Sequence, residues 1–215
     1  MLELGLKVFL SYLAGSLNGA LLVGRLYGGV DIRRSGSGNA GATNALRTQG
    51  RLFAVLVMLV DVAKGVGPVV YFPAMVIAGV DPDPAIGREW LTYACGAAAI
   101  FGHCYPVWHQ FVGGKGFATT LGVLGAVSPV LLIPVAMTWL AALIIAGYVG
   151  LATVLAAFSI PLYLAISEGA MNIDRCVFTL SIAVFIAYTH RSNLRKLRRS
   201  EGGPDISFSL LNRLG

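Results

Sequence analysis

Two short segments of this chain carry residue types suited to holding phosphate. The first is Ser35-Gly36-Ser37-Gly38-Asn39-Ala40-Gly41-Ala42-Thr43-Asn44, followed one turn later by Arg47. The second is Gly113-Gly114-Lys115-Gly116, preceded by Gly102-His103 and Pro106. Glycines let successive backbone N–H groups turn toward one concave point, and such nests bind anions. Gly38, Gly41, Gly114 and Gly116 are the candidate nest positions. Ser37, Asn39, Thr43 and Asn44 add polar side chains, and Arg47 and Lys115 add full charges. A flexible connector accounts for glycines, but it does not ask for Asn39, Thr43 and Asn44 at fixed offsets from them. If 43–51 opens a helix, its first amides add to the anion site. The second loop resembles half of a Walker A loop. It lacks the upstream glycine, and Gly116 stands where Ser or Thr should follow the lysine, so nucleotide binding is weakly supported.

Further candidates lie near these loops. His103 and His109 flank the second loop, although a lone histidine is more often structural than catalytic. His190 and Asn193 are three apart and share a face if their helix continues. Asp61 and Lys64, also three apart in an apolar stretch, read as an ion pair near the site, because charges inside a membrane are costly and are paired or functional. Cys95, Cys104 and Cys176 form no CxxC pair and have no histidine at metal spacing. They read as small buried residues, and neither a metal nor a cofactor is expected. There is no nucleophile elbow of the GxSxG kind.

The elements that must position these residues are membrane spans. Of 215 residues, 56% are apolar and 12% charged, where a soluble domain carries about a quarter charged. Mean hydropathy is +0.75. A span takes about 20 apolar residues, and helices are predicted at roughly 4–28, 52–79, 89–107, 117–128, 130–147, 150–167 and 173–190. The first reads as an uncleaved span behind Glu3 and Lys7. The stretch 117–147 is the ambiguous one, with Ser128-Pro129 and Pro134 available to break it.

Charge decides that ambiguity. Arg33, Arg34, Arg47, Arg51 and Lys115 mark one side, together with Arg191, Arg195, Lys196, Arg198, Arg199 and Arg213 of the tail. Asp81, Asp83 and Glu89 against Arg88, and Glu168 and Asp174 against Arg175, mark the other. Lys and Arg favour the cytoplasmic side, and splitting 117–147 in two puts both loops and the tail there. The expectation is an all-α polytopic protein of one domain, residues 1–215. It has seven transmembrane helices, an outside N-terminus, a cytoplasmic C-terminus and a flexible tail from about residue 200. The net charge of +6 thus reports orientation and not nucleic acid.

The segments GSGNAGATN with its following Arg47, GHCYPVWHQFVGGKGFATT, and HRSNLRKL after the last span resemble, in order and spacing, the three motifs of the bacterial membrane acyl-phosphate:glycerol-3-phosphate acyltransferases. The resemblance runs from about residue 11 to residue 201. It implies transfer of a fatty acyl group from acyl phosphate to the 1-hydroxyl of sn-glycerol 3-phosphate, giving lysophosphatidic acid and phosphate, the first step of phospholipid synthesis. It also implies a seven-helix fold in the plasma (inner) membrane of a bacterium, a cytoplasmic site, and a link to the enzyme that supplies acyl phosphate. The family's phosphate and substrate residues fall on Ser37, Asn39, Thr43, Asn44, Arg47, Lys115, His190 and Asn193. Arg47, Lys115 and His190 are the candidates to act on the reacting groups. One departure stands at Arg199-Ser200-Glu201, where the family pattern has Gly-x-Glu. A transporter is the rival class, but its site belongs at the bilayer midplane, whereas these residues sit in loops on one face.

Overall fold

The computed structural model describes residues 1–167, 173–199 and 205. Glu168 and the tail expected to be mobile, apart from Asp205, lie outside the described residues. Among those residues the chain is helical, with one isolated bridge between Ile77 and Val80. It forms two compact units, Met1–Val127 and Ser128–Gly215.

The first unit holds α1 (Leu2–Gly15), α2 (Gly19–Leu26), α3 (Ala42–Gln49), α4 (Arg51–Tyr71), α5 (Arg88–Cys104) and α6 (Phe117–Val127). Its first predicted span is not one helix: α1 and α2 meet at a 45° bend. A break in an apolar stretch exposes backbone groups that lipid cannot satisfy, so such breaks survive only where the protein supplies partners. Here it does. The Lys64 ammonium donates to the Leu17 carbonyl at 2.9 Å, and the Gly19 amide donates to the Asp61 carboxylate at 3.0 Å. Asn18 caps α2 by accepting from the Leu21 amide. The segment 43–51 does open a helix, but it is the separate short α3, which Gly50 (φ +89°) divides from α4.

Helix α4 is the hub, packed on α1, α2, α3, α5 and α6, while α1 runs against α5. Two of these contacts are reciprocal. A Cβ on Gly15 would stand 2.1 Å from the Ala99 carbonyl oxygen, and one on Gly102 2.3 Å from that of Tyr12. In the same way a Cβ on Gly65 would meet the Thr119 oxygen at 2.2 Å, and one on Gly122 the Val62 oxygen at 2.1 Å. Lipid tails are as apolar as leucine, so close backbone approach through small residues replaces the hydrophobic drive. The other end of the unit is tied by charge. Glu3 and Lys7, expected at the head of a span, are buried in α1. Lys7 donates to Glu3 at 2.8 Å and to the Pro73 carbonyl at 2.9 Å, and Arg88 donates to Glu3 at 2.6 Å.

The second unit contains α7 (Leu132–Ala146), α8 (Val149–Ser167), α9 (Ile173–Thr189) and α10 (Arg191–Arg198). Helix α8 packs on α7, α9 and α10. The last predicted span ends at Thr189, and α10 leaves α9 at 57°, so His190 and Asn193 do not share one straight helix. By length and apolar composition three described helices can cross a bilayer alone, or up to five if each bent pair counts as one span.

Gly122→Val is expected to destabilise the protein by about 1–3 kcal/mol or more, the cost of overpacking a tight core, because its obstacle is main chain. Gly67→Ala, with nothing within 4 Å of a new Cβ, serves as the control. Thermal unfolding in detergent compares the two, and an unchanged midpoint for Gly122→Val contradicts the packing.

Candidate active site

The first loop is shaped from below by one side chain. Asn44, in the first turn of α3, is 1% exposed. Its amide donates to the carbonyls of Ile32 (2.9 Å) and Ser35 (3.0 Å), and its Oδ1 accepts from the Ser37 amide at 2.9 Å. Both of its N–H donors are thus spent on holding the loop. Gly36 (φ +59°) is the price of that closeness: a Cβ there would stand 2.3 Å from Asn44 Oδ1. Ser37, Gly38 and Thr43 are exposed, Asn39 and Gly41 are half-buried, and Arg47 is exposed on the same short helix.

The amides expected to form the nests are largely committed elsewhere. Gly38 N–H donates to Ser35 and Gly41 N–H to Asn39, while Gly113 N–H donates to Cys104 and Gly114 N–H to His103. The glycines therefore serve shape here. Ser37, Asn39, Thr43, Arg47 and Lys115 are the polar and charged side chains of these loops and of α3, and helices α3 and α6 begin with first-turn amides that have no intrahelical partner.

The two loops are neighbours. A Cβ on Gly114 would meet the Ala40 carbonyl oxygen at 2.9 Å and His103 Nε2 at 2.0 Å, so Gly114 lies between the first loop and the imidazole. Lys115 follows, half-buried, and Gly116 (φ +89°) turns the chain into α6. On the outer side Arg33 clamps both loops. It pairs with Asp31 at 2.8 Å and donates to the carbonyls of His109 and Val112, each at 3.3 Å. The Arg33 hydrogen bond holds the Asp31 carboxyl below its ordinary range, and the same bond raises the guanidinium. Burial, and then the Arg33 charge, push His109 downward, which favours its neutral ring.

Beneath the loops lies a buried charged set. Asp61 is 0% and His103 2% exposed. Lys64 Nζ is 3.0 Å and His103 Nδ1 3.3 Å from Asp61 Oδ1. The histidine contact does not meet hydrogen-bond geometry, so the ring stands beside the carboxylate without a direct bond to it. Among the described residues Asp61 Oδ2 and His103 Nδ1 are buried without a hydrogen-bond partner, an arrangement that costs about 1–3 kcal/mol per group. The ion pair was legible in the sequence. The third member was not, because α5 reaches α4 only through the fold. The roles of Gly36 and Arg33 were likewise hidden.

His190 and Asn193 belong to the second unit. His190 is 6% exposed, and its Nδ1 lies 2.8 Å from the Ile186 carbonyl. A carbonyl only accepts, so Nδ1 carries a proton in that contact. The Asn193 amide donates to the His190 carbonyl at 2.9 Å, and its side chain lies against Gly150.

A family model described as glycerol-3-phosphate acyltransferase matches residues 6–200. The glycerol-3-phosphate acyltransferase of Bordetella pertussis is 41% identical over 194 residues, covering 88% of this chain and 86% of that protein. That of Desulforudis audaxviator is 39% identical, covering 95% of each. The crystal structure of PlsY (YgiH), an integral membrane glycerol 3-phosphate acyltransferase, in its glycerol 3-phosphate form is similar with a TM-score of 0.79 at 32% identity, covering 97% of this chain and 98% of that one. Its lysophosphatidic acid form gives 0.78 at 31%. With the motifs, the fold and nearly the whole length matched, this chain belongs to the glycerol-3-phosphate acyltransferase family.

Proposed function

We propose that this protein transfers a fatty acyl group from acyl phosphate to the 1-hydroxyl of sn-glycerol 3-phosphate, releasing phosphate and lysophosphatidic acid. The observation that carries the reading is the pair of neighbouring loops, with Lys115 beside the Ala40 segment through Gly114, in a chain of this family. Glycerol 3-phosphate and lysophosphatidic acid, the ligands of the similar PlsY structures, are the acceptor and the product of that reaction.

Acyl phosphate is a mixed anhydride and needs little activation. The acceptor hydroxyl oxygen attacks the acyl carbon, the bond from that carbon to the phosphate oxygen breaks, and phosphate leaves with the electron pair. A phosphate oxygen takes the hydroxyl proton. The protein's task is to bring two anions together and orient them, which supplies much of the barrier reduction. Arg47 and Lys115 neutralise the repulsion and the developing charge. Ser37, Asn39 and Thr43 hydrogen-bond the phosphates, and Gly38, Gly41, Gly114 and Gly116 give the loops their approach. Asn44 holds the first loop from below. The motif that follows the last span assigns His190 and Asn193 to the acceptor as ligands. Direct transfer without a covalent acyl-enzyme suits a set with no nucleophile–base pair of the usual kind.

The same reading places the protein in the bacterial inner membrane, with seven spans, the N-terminus outside, and the loops and basic C-terminal segment cytoplasmic. The distribution of Lys and Arg supports it. The acyl chain enters sideways between apolar helices, and another enzyme supplies the acyl phosphate.

Purified protein given glycerol 3-phosphate is expected to turn over acyl phosphate and not acyl-CoA, followed by phosphate release and lipid product. Equal or faster turnover with acyl-CoA rejects the donor assignment. Lys115→Ala is expected to insert and purify normally yet lose all or nearly all turnover, since a charged hydrogen bond to phosphate is worth about 1.5–3 kcal/mol. Near-normal rates at low substrate would return Lys115 to a charge that only sets topology. His190→Gln retains a polar side chain and is expected to raise KM for glycerol 3-phosphate with a modest loss in saturating rate. A loss of about a thousandfold at unchanged affinity marks a general base instead, whose removal costs about 10²–10⁴.

A further inference from the structure

The Asp61–Lys64–His103 set is more than an ion pair that tolerates burial. Among the described residues Asp61 Oδ2 and His103 Nδ1 have no hydrogen-bond partner. Such exceptions ask for a role. Three connections define it. Asp61 and Lys64 fasten the break between α1 and α2 through the Gly19 amide and the Leu17 carbonyl. The Asp61 carboxylate stands against the His103 ring, with Oδ1 3.3 Å from Nδ1. The opposite edge of that ring, Nε2, is the nearest atom a Gly114 Cβ would meet, at 2.0 Å, and the Ala40 oxygen closes the other side at 2.9 Å. The His103 carbonyl also accepts the Gly114 amide at 3.1 Å. Gly114 is therefore held against the side chain and the backbone of one residue.

We propose that Asp61, Lys64 and His103 are positioning residues for acyl transfer. Together they form a buried charged seat that sets the height of Gly114, and so places Lys115 against the first loop. The seat touches no reacting atom; it acts through Gly114. Lys64 and Asp61 fix the imidazole, the imidazole fixes Gly114, and Gly114 leaves the backbone of Lys115 no latitude toward Ala40. This inference rests on the assignment of the two loops as the phosphate site.

The test uses full-length protein in detergent, with acyl phosphate and glycerol 3-phosphate as substrates. The single variants are His103→Gln, Asp61→Asn, Gly114→Ala and Lys115→Ala, and the double variant is His103→Gln with Gly114→Ala. Folding is followed by thermal unfolding. A displacement of about 1 Å at a reacting geometry costs about 10²-fold, so His103→Gln and Asp61→Asn are expected to lower kcat by about that factor while remaining folded. Because His103 acts through Gly114, the double variant should lose far less than the product of the single losses, the non-additivity expected of groups in contact. A folded His103→Gln with wild-type kcat and KM overturns the proposal, and so do losses that multiply. If His103→Gln does not fold, Asp61→Asn decides alone: wild-type kinetics in that variant overturn the seat, and a kcat loss in folded protein supports it. If neither folds, the set is a stability element and the proposal is overturned. Lys115→Ala separates this failure from that of the site. An active Lys115→Ala removes the loop assignment and the seat with it, whereas an inactive Lys115→Ala beside a normal His103→Gln removes the seat alone.

Discussion

A carboxylate with no exposure to solvent organises the first unit. Asp61 sits in the middle of the apolar helix α4, where an isolated charge is expensive and partners are obligatory. The partners it gathers come from four places: Lys64 on its own helix, the amide at the start of α2, the imidazole of α5, and through Lys64 the carbonyl at the end of α1. A buried ion pair seldom adds net stability over a well-packed apolar core. What it does supply is direction. A helix broken in an apolar medium has to have its loose backbone groups met, and this one cluster meets them while holding a ring against the glycine loop above.

The loops themselves follow a division of labour that glycine content alone does not reveal. Of the glycine amides expected to face an anion, those of Gly38, Gly41 and Gly114 are spent on internal bonds, as is that of the neighbouring Gly113. Asn44 is spent in the same way. On the proposed reading of the loops as the phosphate site, the rigidity this gives has a catalytic sense. Two anions brought together in a site gain most from groups that need no reorganisation at the moment of reaction, and loops braced by Asn44 below and by Arg33 outside are pre-set in that manner.

Apolar runs, prolines and glycine clusters made the helical character and most helix positions readable, because lipid imposes one simple rule on composition. The loops were readable because Gly, Asn and Lys rarely concentrate in an apolar chain without cause. What the sequence hid was set by contacts between distant segments. The bend at Ser16–Asn18 depends on side chains more than forty residues away, at Asp61 and Lys64. The sequence left open whether a helix continues across Gly50 and His190, and the chain turns at both. Asn44 read as a possible ligand because its type suits one; only its three partners show it bracing the loop.

The reciprocal glycines of α1 with α5 and of α4 with α6 carry a consequence for how this protein can change over generations. At Gly15, Gly65, Gly102 and Gly122 the first obstacle to a side chain is a carbonyl oxygen of the facing helix. No codon change elsewhere deletes a carbonyl. A larger residue at any of these four sites therefore has no second-site suppressor among the facing side chains, and only a shift of a whole helix can accommodate it. These positions are closed to gradual drift, whereas a site such as Gly96, whose nearest obstacle is the Val123 side chain, can drift together with its neighbour.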